Sequence, residues 1–243
     1  MSRWHKHFIA LALALLPISA MAQSVSLNMG SGGTATAHIV QLVILMTVLS
    51  LAPSILVMVT SFMRIIIVLS FVRTAMGTQS TPPNQVLVAL ALFLTLFIMT
   101  PTFEKSYNDG IAPLIAEKVT EEQGLKLAAA PFHEFMMHHV REKDLGLFTN
   151  IAKVKVDKPE DVPYQVVIPA FMISELRRAF EIGFLIFIPF LIIDMVVASV
   201  LMAMGMMMLP PAVISLPFKI IFFVLIDGWY MLSGSLVRSF GVI

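Results

Sequence analysis

Four long apolar runs, arranged in two pairs, dominate the hydrophobic pattern of the chain. The first pair, His38 to Ser61 and Val86 to Met99, flanks a connection from Phe62 to Gln85 that carries Arg64, Arg73 and the turn pair Pro82-Pro83. The second pair, Ile182 to Leu209 and Ala212 to Ile226, is joined across Pro210-Pro211. Between the pairs lies a polar stretch, since 23 of the 31 Asp, Glu, Lys and Arg residues fall between Glu104 and Glu181. This pattern predicts an all-α protein with two hydrophobic helical hairpins, 38–100 and 182–243, separated by a helical polar insert, 101–181.

Measured against a bilayer, the runs are unusual. A helix needs about 20 apolar residues to cross about 30 Å of hydrocarbon, and Val86 to Met99 and Ala212 to Ile226 fall short of that. The two longer runs contain Pro53 and Pro189, and an internal proline removes a helix hydrogen bond and bends the axis. Charges sit among these apolar residues as well: Arg64 beside Ile65-Ile66-Ile67, Asp194 in the third run, Lys219 in the fourth and Asp227 at its end. An ionised group facing lipid costs several kcal/mol, so such residues face a partner, water or a lumen. The expectation is of kinked, short, membrane-associated helices enclosed by other subunits, with these four charges buried or paired between subunits.

Within the insert, Phe103 to Val119 and Pro131 to Arg141 read as helical, with Phe132, Phe135, Met136 and His139 at the spacing of one helix face. Lys153 to Asp157 alternates polar and apolar residues before Pro159 and Pro163 interrupt it. Ser174 reads as the cap of a helix starting at Glu175 that runs straight into the third apolar run.

The N-terminus adds a compartment. Arg3, Lys6 and two histidines precede the apolar run Phe8 to Leu16, and Ala20-Met21-Ala22 forms a small-x-small site. Residues 1–22 therefore read as a signal peptide cut between Ala22 and Gln23, leaving a flexible Ser/Gly/Thr-rich segment, 23–37, outside the cytoplasm. Arg64 and Arg73 mark the first connection as cytoplasmic-facing, which makes the insert periplasmic. With 58% hydrophobic and 13% charged residues, the chain holds more apolar side chain than one core of its size buries. A net charge of +1 and the lack of a basic block exclude the electrostatic footprint of a nucleic-acid binder. The absence of cysteine excludes disulfides, thiolate metal sites and cysteine nucleophiles.

Enzyme chemistry finds little support. His133-Glu134 followed by His138-His139 resembles a zinc-protease helix until the spacing is measured. Zinc-binding histidines lie four residues and about 40° apart on a helix, whereas His133 and His138 are five apart, about 140° round. They read as solvated surface. Asp194 and Asp227 lie on neighbouring segments, as an intramembrane aspartyl dyad would require. Neither has a Gly-rich flank, and a structural ion pair with Lys219, Arg64 or another subunit uses them more simply. Gly30-Ser-Gly-Gly33 precedes no Lys-Ser/Thr pair, so no nucleotide cradle is read, and no cofactor is expected.

The most informative cluster is Met202-Ala-Met-Gly-Met-Met-Met208-Leu-Pro-Pro211. Methionine has three rotatable bonds and a polarizable sulfur, so several copies can close around irregular shapes and reopen. Ordinary core packing is the alternative. Gly205 and Pro210-Pro211 push the backbone out of the helix here, and three consecutive methionines cannot all face one core, which favours a deformable lining.

Several stretches together resemble the FliP family of flagellar type III export-gate proteins and its injectisome relatives. They are Ser61-Phe-Met-Arg-Ile-Ile-Ile-Val-Leu-Ser70, Gly77-Thr-Gln-Ser-Thr-Pro-Pro-Asn-Gln-Val86 and Ala91 to Met99 in the first half. In the second half they are Val167 to Leu176, Ile182 to Asp194, Gly205 to Pro211, Leu216-Pro-Phe-Lys219 and Asp227-Gly-Trp229. The resemblance runs from about residue 39 to the C-terminus. It implies an all-helical subunit that self-associates and joins FliQ and FliR in a helical ring in the bacterial inner membrane, at the flagellar basal body. FlhB and FlhA would be neighbours, membrane lipid a surrounding, and unfolded flagellar subunits the passengers. It further implies that Met206, Met207 and Met208 line the closed pore as a gasket. A secondary transporter and an intramembrane protease stand as the alternatives.

Overall fold

The computed structural model describes residues 35–154, 158, 161–206 and 208–241. The expected signal peptide 1–22, its cleavage site Ala22/Gln23, most of the segment 23–37, Lys155 to Asp157, Pro159 and Met207 lie outside the described residues. The chain divides into two compact units, 1–50 and 51–243. In the first, the described residues belong to helix α1 (Ala35–Met58), an apolar helix with Ile39, Val43, Ile44 and Met46 exposed.

The regular elements of the second unit are all helices among its described residues. Its elements are α2 (Phe62–Ala75), α3 (Asn84–Lys105), a π-helical turn (Ser106–Ile111), α4 (Ala112–Ile115), α5 (Glu121–His139), α6 (Glu142–Ala152), α7 (Tyr164–Ala203), α8 (Pro211–Leu225) and α9 (Gly228–Arg238). At the centre is α2, which packs chiefly on α7 and then on α3. Ile65, Val68, Leu69 and Val72 recur at the spacing of one helix face and are all buried. They meet Leu87, Ala91, Leu94 and Ile98 from α3 and Ala179 and Phe190 from α7 in one core, to which α8 adds Phe223 and α9 adds Leu232 and Leu236. A second cluster, built on Met136, Val166, Val167 and Phe171, fixes α5 to the start of α7.

Three expectations need correction. The stretch 62–85 is not a mere connection, because its first part forms the most enclosed helix of the unit; the charge of Arg64 is matched inside the fold and does not mark a loop. The run Val86 to Met99 does not end where its apolar residues end. Thr100 satisfies its hydroxyl on the Leu96 carbonyl at 2.7 Å, Pro101 is accommodated within α3, and the helical path continues to Ile115. Ser174 does not cap α7, which begins at Tyr164 behind Pro163 and passes through Pro169 and Pro189. The Ser174 hydroxyl bonds to the Ala170 carbonyl at 2.9 Å and to Asp144 at 2.6 Å. The helix does run straight into the third apolar segment, as the sequence suggests.

Among the described residues two helical stretches, Asn84–Ile115 and Tyr164–Ala203, are long and apolar enough to cross a membrane, and α8 with α9 qualifies as one span bent by 61°. Short, kinked helices therefore describe only the last of these. Five hydroxyls within the apolar helices are satisfied locally: Ser70, Thr74, Thr95, Thr100 and Ser199 each bond the carbonyl four residues earlier at 2.7–2.9 Å. Such bonds leave no hydroxyl hydrogen without an acceptor in a medium that offers none.

The insert closes over the π-helical turn. Thr120 caps α5, accepting from the Gln123 amide at 3.4 Å, with Glu121 and Glu122 in the first turn. Gly110 lets α5 approach the turn, because a Cβ there would overlap the backbone of Ala128, which cannot rotate away. Gly146 in α6 has nothing within 4 Å of that position. Gly110→Ala is therefore expected to destabilise the fold by about 1–3 kcal/mol, and Gly146→Ala to stabilise it by about 0.5–1 kcal/mol. Thermal unfolding of both variants in the same detergent checks the opposite signs.

Candidate functional site

The α7–α8 turn is where the sequence concentrates its methionines, and local chemistry explains its shape. The Met206 amide donates to the Leu201 carbonyl and the Gly205 amide to the Met202 carbonyl, both at 3.0 Å, while Gly205 adopts φ +75°. This is a Schellman stop, which needs a residue tolerant of the left-handed region. Four residues on, Pro210 caps α8 and Pro211 opens it, where its missing N–H would have been unpaired anyway. The result is a tight turn whose apolar side chains have no core to enter. Met208 is 99% exposed, and Met202, Met204, Met206 and Leu209 are exposed too. Behind it, α7 and α8 leave an apolar groove of about 610 Å3 lined by Ile193, Val197, Val200, Met204, Ile214 and Phe218.

Below the turn the two arms are pinned by charge. Lys219 Nζ donates to Asp194 Oδ2 at 2.6 Å and to the Ala75 carbonyl at the end of α2 at 3.3 Å. The Ser215 hydroxyl also donates to Asp194. One ammonium thus ties α8 to α7 and to the C-terminal end of α2, where the helix dipole favours a cation.

Deeper in, the Arg64 guanidinium bonds both oxygens of Glu175, Nε donating to Oε2 at 2.7 Å and Nη2 to Oε1. Arg64 is 1% exposed and Glu175 is fully enclosed. Nη1 reaches the Ser239 carbonyl at 3.2 Å and hydroxyl at 2.9 Å, so four of the five N–H donors of the fork are used.

The comparisons with known proteins fit this picture. The model of the FliP family matches residues 45–236. The chain belongs to the FliP family. It is 60% identical over 204 residues to the flagellar biosynthetic protein FliP of Bacillus subtilis, covering 83% of this chain and 91% of that one. It is 59% identical over 211 residues to the protein of the same name from Caulobacter vibrioides, covering 86% and 79%. With that of Aquifex aeolicus it shares 52% over 204 residues, covering 83% and 85%. As a member of the FliP family the chain is a component of flagellar biosynthesis and not an enzyme.

The matched region of this FliP-family chain includes the methionine turn and both ion pairs. The structure brings Asp194 and Lys219 together and gives Arg64 a partner, Glu175, inside the chain. Asp227 is different: it is exposed, in the left-handed region with φ 51°, at the break between α8 and α9. It makes no ion pair among the described residues, so within this chain it is not a buried charge. Nor does a hydrogen bond join it to Asp194 among them, as an aspartyl dyad would need. Gly228 follows because a side chain there would enter the Phe223 ring.

Of the histidines, His138 is exposed, but His133 is half-buried and shares a 2.7 Å hydrogen bond with the Val162 carbonyl, so it is not simply solvated. Asp144 is buried, accepting from Ser174 and from Arg141 Nε at 2.8 Å. Burial alone would raise its carboxyl, but these hydrogen bonds and the guanidinium charge outweigh it and hold it below the ordinary carboxylate value. Sequence reasoning missed Glu175, Asp144 and Ser239 as partners. Only Glu175 carried a signal, as an acid shortly before a long apolar run.

Removing one side of a buried pair strands the other charge, at a cost of about 3–5 kcal/mol, whereas replacing both with apolar residues can be close to neutral. Arg64→Met and Glu175→Leu are each expected to lower stability by that amount, and the double variant to regain most of it. A double-mutant cycle on thermal unfolding in detergent checks this.

Proposed function

We propose that the chain is a core subunit of the flagellar type III protein export gate. Several copies, with FliQ and FliR, enclose a channel for unfolded flagellar subunits, and the methionine turn seals that channel when it is empty. The observation that carries this reading is the turn itself: Met206 and Met208, at 41% and 99% exposure, stand on a backbone stop that holds them out of any core of their own. Flexible thioethers suit a seal that must close on itself and open around varied chains. Met207 would complete the gasket.

Assembly is supported by the surface. Phe180, Phe184, Leu185, Leu191, Met195 and Val196 leave much of α7 apolar and exposed. Patches of this size mark a membrane or protein interface. Asp227, exposed and without an ion pair among the described residues, is the charge available to a neighbouring subunit. The chain would lie in the bacterial inner membrane at the basal body, with residues 101–181 toward the periplasm, FlhB and FlhA beside the gate, and the signal peptide 1–22 removed.

Replacing Met206, Met207 and Met208 together with alanine is expected to raise ion conductance through the assembled gate at least several-fold while complex recovery is unchanged. Conductance equal to wild type in planar bilayers would reject the gasket. Asp194→Ala should leave the Lys219 ammonium without its carboxylate, loosen the α7–α8 arms and reduce the yield of the large complex on size-exclusion chromatography. An undiminished yield would remove the ion pair from any role in assembly.

A further inference from the structure

The residues beyond α9 end in an unusual clasp. Phe240 is 7% exposed, and the Arg64 guanidinium carbon lies 3.6 Å from the centre of its ring. The ring also stacks on His139, with centroids 5.2 Å apart and planes 18° from parallel. His139 in turn lies 4.6 Å from Phe135. One aromatic side chain thus holds the C-terminal end of α9 against α2 and α5, and Arg64 adds its two hydrogen bonds to Ser239.

The imidazole in this clasp is poorly placed to carry a proton. His139 is 6% exposed, and its Nδ1 has no hydrogen-bond partner among the described residues. A second proton on the ring would need an acceptor or a counter-charge. The groups around it supply neither. Arg64 comes from α2, Arg178 from α7 and His138 from α5 itself, and each acts against a positive ring. Glu175 is engaged by Arg64. Lys105 of α3 and Glu134 of α5 pair with each other at 3.4 Å on the exposed rim, and Arg238 of α9 is exposed. Beside the clasp lies a cavity of about 460 Å3 lined by Pro101, Lys105, Glu134, His138, Phe240 and Gly241, which gives the Phe240 ring room to leave.

We propose that His139, Phe240 and Arg64 form an acid-sensitive latch: the C-terminal end of α9 stays docked while the imidazole is neutral and is released when the ring is protonated. Burial first, and then the charges of Arg64, Arg178 and His138, lower the docked His139 from its ordinary 6.5 to about 3. The undocked ring titrates near the ordinary value, so the open form binds the extra proton between these two limits. Docking is therefore at full strength above about pH 6.5, weakens as pH falls below it, and reaches its minimum near pH 3. At pH 5 the open fraction should be about thirty-fold higher than at pH 8.

Hydrogen–deuterium exchange on the full-length chain in detergent tests the latch, with rates corrected for the intrinsic effect of pH. In wild type, protection of the amides from Leu236 to Gly241 should fall about thirty-fold between pH 8 and pH 5, while Leu87 to Met99 in α3 stay protected. His139→Phe keeps a stacked ring without a titrating proton and should abolish that fall. Phe240→Ala should leave the segment unprotected at both pH values with α3 intact, and this arm decides the matter if His139→Phe does not fold. The latch is overturned by a wild-type segment indifferent to pH, by the same pH dependence in His139→Phe, by retained protection in Phe240→Ala, or by a parallel loss in α3 that signals global unfolding.

Discussion

A guanidinium and a carboxylate with almost no access to water, Arg64 and Glu175, hold α2 against α7, and much of the second unit is built outward from that contact. The pair alone is a weak source of net stability, because desolvating both charges offsets most of their attraction. Its effect is on register. Once Arg64 is inside, its fork must meet Glu175 and Ser239, so sliding α2 along α7 by one turn would leave charges and donors unmatched. The apolar faces around it, Ile65, Val68 and Leu69 against Ala179, then pack in one arrangement. Gly183 allows the close approach, since a Cβ there would sit 2.5 Å from the Phe71 ring.

The same rule governs the polar groups elsewhere in these apolar helices. Hydroxyls bond carbonyls one turn back, Lys219 divides its donors between Asp194 and the end of α2, and Asp144 collects Ser174 and Arg141. Most of these polar atoms are settled within the chain, so much of the outer faces of α3 and α7 is free to be apolar. A surface so arranged is suited to lipid or to the apolar faces of other subunits. It also explains how a helix with as many side-chain hydroxyls and prolines as these can lie in a non-aqueous environment.

Against that settled interior the methionine turn is an outlier. A glycine stop bounds it on one side and two prolines on the other, and Met202, Met204, Met206, Met208 and Leu209 are exposed. On the proposed function, soft side chains presented at a fixed turn would suit a seal between copies. The ion pair beneath the turn fixes where the two arms start, and the apolar groove between them leaves some freedom above that point.

How much of this was legible in the sequence differs from residue to residue. The helical class, the two apolar halves around a polar insert, and the turn at Gly205 and Pro210-Pro211 follow from composition and local spacing, while the family motifs were legible only as a resemblance. The inward face of Phe132, Phe135, Met136 and His139 was equally local. Arg64 with Glu175, Asp144 with Ser174, and Phe240 with both Arg64 and His139 join positions from 30 to 176 residues apart, and no periodicity records which of many charges or rings will meet. For the same reason the end of α3 and the start of α7 were misplaced: whether a proline or a threonine stops a helix depends on what packs on it, and a buried arginine reads as a loop until its carboxylate is in place. The sequence determined which segments are helical and apolar, while the tertiary structure decided which polar groups pair inside them, because pairing depends on distances in space that chain spacing does not encode.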